Sequence, residues 1–152
     1  MVQWFGGPIK EVKSITATLA RNIEAEDTGS AIIRFQNEAI GSINVTMLTY
    51  PKNLEGSITI LGEKGTVRIA GTSMNKIEHW EFADQQEYDG KIEQHNTNPT
   101  SVYGFGHNGY YRNGIYTLRG GKAQQISNGL EGRKSLKLLE SIYSIARRRK
   151  LL

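Results

Sequence analysis

Two short stretches of the chain combine residue types suited to a ligand with polar and planar parts. The first is Tyr103-Gly104-Phe105-Gly106-His107-Asn108-Gly109-Tyr110-Tyr111. Its rings offer stacking surfaces, His107 and Asn108 offer hydrogen-bonding groups, and its glycines let a ligand approach the backbone. The stretch also opens a helix, whose first amides favour anions such as phosphate. The plainer alternative is that the aromatics pack into a core while the glycines make a turn. That alternative is the expectation for Tyr111, whereas His107 and Asn108 are candidates for ligand contact, with Tyr103 beside them. The second stretch, Tyr50-Pro51-Lys52-Asn53-Leu54-Glu55, lies between two strands. There Lys52 can meet a phosphate or carboxylate, Tyr50 can stack on a ring, and the scaffold fixes the loop that carries Asn53. A Pro-containing connection with a solvated lysine is the competing reading.

Several chemistries are missing. His79, His95 and His107 are scattered without metal-ligand spacing, and there is no cysteine to form a thiolate site or a disulfide. His79 alternates with Trp80 on a strand and His95 lies in a polar loop, so neither suggests a reactive group. Gly104-Phe105-Gly106 is the nearest fragment of a dinucleotide fingerprint, yet it follows a polar loop and enters an aromatic helix. The strand, glycine turn and βαβ context of such a site is absent. Sequences similar to a phosphate loop also lack its strand-to-helix setting. No catalytic, cofactor-binding or metal-ligating residue is assigned.

The elements that must position the two loops are mostly strands. Ile15, Ala17 and Leu19 alternate with threonines. Ala31, Ile33 and Phe35 alternate with Ile32 and Arg34, and Ile43, Val45 and Met47 with Asn44 and Thr46. Ile58 and Ile60, Val67 and Ile69, and Trp80 and Phe82 follow. Period two predicts one buried and one more polar face. Turns at Gln36-Asn37-Glu38, Gly62-Glu63-Lys64-Gly65 and Gly71-Thr72-Ser73 favour antiparallel hairpins. Residues 83–99 read as a long polar loop. Tyr111, Ile115 and Leu118 predict a helix stopped by Gly120-Gly121. Asn128 with Glu131 suggests a capping box. After it, Leu136, Leu139, Ile142, Tyr143 and Ala146 form the expected apolar stripe of a second helix. The predicted fold class is α+β: an antiparallel-rich open sheet with helices packed on one face, forming one domain over residues 1–152. If Ile33, Val45 and Ile60 point to the helices, then Ile32, Leu48 and Leu61 point away, beside Ser30, Arg34, Asn44 and Thr46. That other face needs a cover from another domain or a second subunit, and the second subunit, giving a homo-oligomer, is the expectation.

Composition sets the outer limits. The chain has 152 residues, 38% hydrophobic and 22% charged, with net charge +4. Much of the excess lies in Arg147-Arg148-Arg149-Lys150, which a helix C-terminus accommodates with no partner. The strand faces lack interleaved aromatic and basic residues, which argues against a nucleic-acid partner. No apolar run approaches the roughly 20 residues of a membrane span, and the first residues lack the form of a signal peptide. A cytoplasmic location is the default expectation.

With these residues in view, the chain resembles the Gfo/Idh/MocA oxidoreductases. The resemblance is carried by Glu26-Asp27-Thr28-Gly29-Ser30-Ala31-Ile32-Ile33-Arg34-Phe35 with Ala39–Asn44, by the hairpin Leu54–Val67, and by Gly132-Arg133-Lys134-Ser135-Leu136 with its helix. Within the family, Tyr50–Gly56 and Gly106–Tyr111 are most similar to dehydrogenases that oxidise UDP-linked aminosugar uronates at the 3-hydroxyl during surface-polysaccharide synthesis.

The resemblance implies a substrate-binding and dimerisation domain of an NAD- or NADP-dependent sugar dehydrogenase. The implied substrate contacts are Tyr50, Lys52, Asn53, Tyr103, His107 and Asn108. Family members begin with a Rossmann domain, then a Glu-Lys-Pro segment, then a helix bearing a proton-transferring histidine. That helix ends in a sequence similar to Gln3-Trp4-Phe5-Gly6-Gly7. The cofactor site, lysine and histidine are therefore expected outside this chain, which alone should bind no cofactor and be inactive. The competing function is a non-enzymatic carbohydrate- or protein-binding module of the same fold. An upstream reading frame with a dinucleotide fingerprint would separate the two.

Overall fold

The computed structural model describes residues 1–122 and 128–148. In chain order the elements are α1 (Val2–Gly6), β1 (Ile9–Ala17), β2 (Thr28–Phe35), β3 (Ile40–Thr46), β4 (Ile58–Gly62), β5 (Gly65–Ala70), β6 (Lys76–Phe82), a 3-10 turn (Asp89–His95), α2 (Gly106–Leu118) and α3 (Gly129–Arg148). Every strand pair is antiparallel, and the strands form two three-stranded sheets, β1-β2-β3 and β4-β5-β6. The chain divides into two compact units, Met1–Thr49 with Ile126–Leu152 and Tyr50–Gln125. The α+β class and the meander order agree with the sequence reading. The expected continuous sheet is replaced by two sheets, so Ile60 and Leu61 do not share a sheet with Ile32 and Ile33.

In the first unit the register decides which side chains meet α3. Val12 pairs with Ile33 and Ile33 with Gly41, while Ser14 pairs with Ala31 and Ala31 with Ile43. Directly paired residues point to the same face, so this row faces inward. Ile33, Phe35 and Leu138 form the core, with Val2, Ile9, Val12, Ile43 and Ile142 packed around them. Small residues at Ser14 and Ala31 let the helix come close, and the buried Ser14 hydroxyl donates to the Ile142 carbonyl at 2.6 Å. At Gly6, a Cβ would fall 2.3 Å from the Phe35 ring, so only glycine permits this approach.

The inward row of the helix keeps Ile142 and Ala146 of the expected stripe and replaces Leu136, Leu139 and Tyr143 with Leu138. Leu138 and Ala146 are buried and Ile142 is half-buried, whereas Leu136, Leu139 and Tyr143 are exposed. Leu138, Ile142 and Ala146 follow one another at i+4, which keeps them in one row. Asn128 caps the helix by accepting from the amides of Leu130 and Glu131 at 3.0 and 3.1 Å. Glu131 pairs with Lys134 at 2.6 Å. Of the basic run, residues 149 and 150 lie outside the described residues.

The opposite face of the first sheet holds Ile15, Ile32 and Ile40, each at least 60% exposed. Around them Ser30 donates to Asn44 at 2.8 Å, the Thr28 and Thr46 hydroxyls meet at 3.0 Å, and Arg34 reaches Glu38 at 3.2 Å. Ile15 therefore points outward, because its neighbour Ser14 takes the helix-facing position. Ile32 points away from the core as expected, and Leu48 lies beyond the end of β3. Val45 pairs with Gly29 on the inward side, yet it is exposed.

The loop from β1 to β2 is organised by Asp27, a buried carboxylate. It accepts from the amides of Leu19, Ala20 and Arg21, each at 2.9 Å, and from the Thr28 hydroxyl at 3.1 Å. The amide bonds, led by that of Ala20, outweigh desolvation and hold its pKa at about 2. Arg21 continues the loop by donating to the Met47 carbonyl at 3.0 Å.

Candidate substrate-binding loops

Both candidate stretches lie in the second unit, attached to the β4-β5-β6 sheet. Its core residues, Val67 and Ala70, lie on the central strand, as edge positions cannot be covered from both sides. On one side Arg68 donates to Glu78 at 3.0 Å, Glu55 at 3.0 Å and the Thr59 hydroxyl at 3.1 Å. The Glu78 bond and then the Glu55 charge raise the pKa of Arg68. Its charge is thereby matched by carboxylates, while Glu55 anchors the end of the first loop.

Ahead of that anchor, the first loop stands free. Tyr50 is 96% exposed and joined to Pro51 by a cis peptide bond, and Lys52, Asn53 and Leu54 are exposed as well. Among the described residues, no hydrogen bond or ion pair engages the side chains of Tyr50, Lys52 or Asn53. A cation, an amide and a phenol ring are therefore available to a ligand.

The second stretch is positioned by a chain of local bonds. Tyr103 donates its amide to the Ser101 hydroxyl at 3.1 Å, and Gly104 turns the backbone with φ +62°. α2 then starts at Gly106, with His107 and Asn108 in its first turn and no side chain capping its amides. Those uncapped N–H groups suit an anion or a carbonyl-bearing ligand. Tyr103 meets His107 edge to face, with ring centres 6.4 Å apart. Tyr103, His107 and Asn108 are all exposed. Tyr111, expected in the core, is exposed too, because no residue of α2 is buried. The polar segment before it is less irregular than expected: residues 89–95 form the 3-10 turn, where Asp89 accepts from the Trp80 indole at 2.9 Å.

The structure therefore brings Tyr103 and His107 into contact and leaves Tyr50, Lys52 and Asn53 on a separate loop. Sequence reading missed what links the two loops. The turn from β5 to β6 bonds to both, through Gly71 on one side and Ser73 and Asn75 on the other. The available signal was an asparagine shortly after a Gly-Thr-Ser turn, which alone is a weak one.

Other chemistry finds little support. His79 lies 3.5 Å from Glu81 on β6, and His95 ends the 3-10 turn. Among the described residues no group of His, Cys, Asp and Glu could hold a metal ion, and no helix is long and apolar enough to cross a membrane. With every strand pair antiparallel, no βαβ crossover exists among the described residues, and Gly104-Phe105-Gly106 reaches α2 from a loop rather than a strand.

Comparison with known proteins places this geometry in context. Residues 1–151 match the profile of an oxidoreductase family, C-terminal alpha/beta domain, that of Gfo/Idh/MocA. A search of curated proteins gave no match. Among solved structures, the WlbA dehydrogenase from Bordetella pertussis, in complex with NADH and UDP-GlcNAcA, is similar at 56% identity and TM-score 0.89. The likeness covers 97% of this chain and 42% of that one. The WlbA dehydrogenase from Chromobacterium violaceum, with the same two ligands, is 51% identical at TM-score 0.86, over 97% and 40% of the two chains. Levoglucosan dehydrogenase in complex with NADH and levoglucosan shares the fold at 17% identity and TM-score 0.66, over 97% and 45%. The chain thus spans about two-fifths of the length of the WlbA structures it matches. By its match across nearly all residues, the chain belongs to the Gfo/Idh/MocA oxidoreductase family and corresponds to its C-terminal alpha/beta domain.

Proposed function

We propose that the chain is the substrate-binding and self-associating domain of an NAD-dependent dehydrogenase. Its substrate would be a UDP-linked aminosugar uronate, oxidised in the cytoplasm for surface-polysaccharide synthesis. The observation that carries this reading is the 56% and 51% identity, over 97% of the chain, to two dehydrogenases solved with NADH and UDP-GlcNAcA. The two units act together as one substrate domain. NAD would be held elsewhere in the full-length enzyme, where it accepts hydride, and this chain alone would bind none and be inactive.

Within that enzyme, this chain binds and orients. The Lys52 ammonium is a compact charge suited to a phosphate oxygen. Asn53 and Asn108 offer both donors and acceptors to sugar hydroxyls or an acetamido group. Tyr50 and Tyr103 present rings, and His107, beside Tyr103, gives a further polar contact. Holding the sugar in one pose sets its carbinol carbon against the nicotinamide, and such positioning supplies a large share of a dehydrogenase's rate.

In the full-length enzyme, losing the Lys52 contact by Lys52→Ala should raise the KM for the nucleotide sugar by about 10- to 150-fold, from roughly 1.5–3 kcal/mol for a charge-assisted bond. His107→Ala should weaken binding as well. If both variants keep the KM and kcat of the parent, these loops do not bind the substrate.

Self-association is proposed through the face of Ile15, Ile32 and Ile40. Exposed isoleucines set among hydroxyl and amide groups fit a paired, partly polar interface better than open solvent. A two-fold arrangement would bury that face isologously.

A further inference from the structure

We infer that Asn75, in the turn between β5 and β6, is a positioning residue that fixes the two substrate loops relative to one another. This rests on the reading that those loops bind the nucleotide sugar, but the bonds themselves do not depend on it. The Gly56 amide, at the end of the Lys52 loop, donates to the Gly71 carbonyl at 2.9 Å. On the other side, the Thr97 amide donates to the Asn75 carbonyl at 3.0 Å, and the Asn75 side-chain amide donates back to the Thr97 carbonyl. Ser73 then donates its hydroxyl to the Ser101 carbonyl at 2.9 Å, just ahead of Tyr103. The Cβ of Ser73 also lies 3.6 Å from where a side chain on Gly104 would begin. One five-residue turn thus holds the base of both loops.

The chemistry of the turn requires asparagine at its last position. Asn75 Oδ1 accepts from the Ser73 amide at 3.1 Å while Nδ2 donates to Thr97. A short side chain with one acceptor and one donor satisfies both; aspartate lacks the donor, leucine lacks both, and glutamine is a methylene too long. The turn is also shaped around that amide. A Cβ on Gly71 would stand 2.6 Å from Asn75 Oδ1, and Gly71 itself has φ +94°, so no side chain is tolerated there. Met74 takes a left-handed conformation, φ +52°, to complete the reversal. Without the Asn75 amide, the Thr97–Tyr103 segment loses one of its two side-chain ties to the turn, that at Thr97, and the Gly71 carbonyl that holds Gly56 loses the support of a fixed turn.

The test uses the full-length enzyme and two readouts. Hydrogen exchange in Asn75→Ala should quicken together in residues 52–57 and 97–108, with residues 28–46 unchanged. The KM for the nucleotide sugar should rise about tenfold while the KM for NAD stays constant, the loss expected for one or two hydrogen bonds' worth of order. Asn75→Asp, which keeps the acceptor for Ser73 but sets a carboxylate oxygen against the Thr97 carbonyl, should quicken exchange in 97–108 at least as much as Asn75→Ala. Ser73→Ala, a milder change should Asn75→Ala not fold, should quicken exchange in 97–108. In Asn75→Ala, exchange that changes in neither loop, or in only one, overturns the inference, as does Ser73→Ala with no quickening in 97–108. A changed exchange pattern with an unchanged KM also overturns it if Lys52→Ala raises the KM, since the loops would bind without needing the turn. If Lys52→Ala and His107→Ala also leave the KM unchanged, the substrate reading fails and takes the positioning role with it.

Discussion

Truncating Leu138 should cost the first unit several times more than truncating its neighbour Leu139. Leu138 is 9% exposed and in the core with Ile33 and Phe35, whereas Leu139 is 51% exposed. At about 0.8 kcal/mol per buried carbon group, Leu138→Ala forfeits roughly 2 kcal/mol of transfer energy. The helix is held by the Ser14–Ile142 bond and cannot collapse fully onto the gap, so a cavity term brings the total to about 2–5 kcal/mol. For Leu139→Ala, half the surface is already in water and water fills the vacated space, so about 1 kcal/mol or less is expected. Urea unfolding at constant m-value measures the difference, and the thermal midpoint of Leu138→Ala should fall by about 5–15 °C. Equal losses for the two variants, or a larger loss for Leu139→Ala, would refute the assignment of the buried helix row.

Acid should loosen the loop held by Asp27. Its folded pKa, about 2, is below the unfolded value of 3.8, so the carboxylate's contribution is complete above pH 3.8 and is lost as pH falls towards 2. Asn at this position should make stability less steep in that range; an unchanged acid limb in Asp27→Asn would contradict the clamp. The proposed self-association predicts a discrete dimer for the parent in light scattering and a monomer for Ile32→Glu with unchanged circular dichroism, because the side chain is exposed within one chain and a buried, unpaired carboxylate is costly only in an interface; a monomeric parent refutes the proposal. A variant that remains dimeric places the contact elsewhere.

The sequence made some elements plain and concealed others for physical reasons. β2 was legible because Ala31, Ile33 and Phe35 all point inward and the Gln36–Glu38 turn follows directly. The cap of α3 was legible because Asn128 works through bonds to its own neighbours. The buried row of α3 was not. Leu136, Leu138 and Leu139 offer two apolar rows, and the choice between them is made by Ser14 and Ile33, more than a hundred residues away. For the same reason Ile15 misled: hydropathy points it inward, but a serine bonded to a helix carbonyl takes the inner place. The residues of the two loops were visible as unusual combinations of rings, glycines and polar groups. The turn that joins them was not, since Asn75 acts through geometry that no period or motif announces.

The first unit joins two segments, Met1–Thr49 and Ile126–Leu152, and in sequence the second unit lies between them. This has a consequence for synthesis on the ribosome. The strands β1 to β3 are complete at Thr46, yet the helix that covers Ile33 arrives only with Leu138, Ile142 and Ala146. At about 5–20 residues per second, the roughly 100 intervening residues take on the order of 5–20 s to emerge. During that interval the contiguous Tyr50–Gln125 unit can fold, while the nascent first sheet waits for the helix that packs on its apolar row.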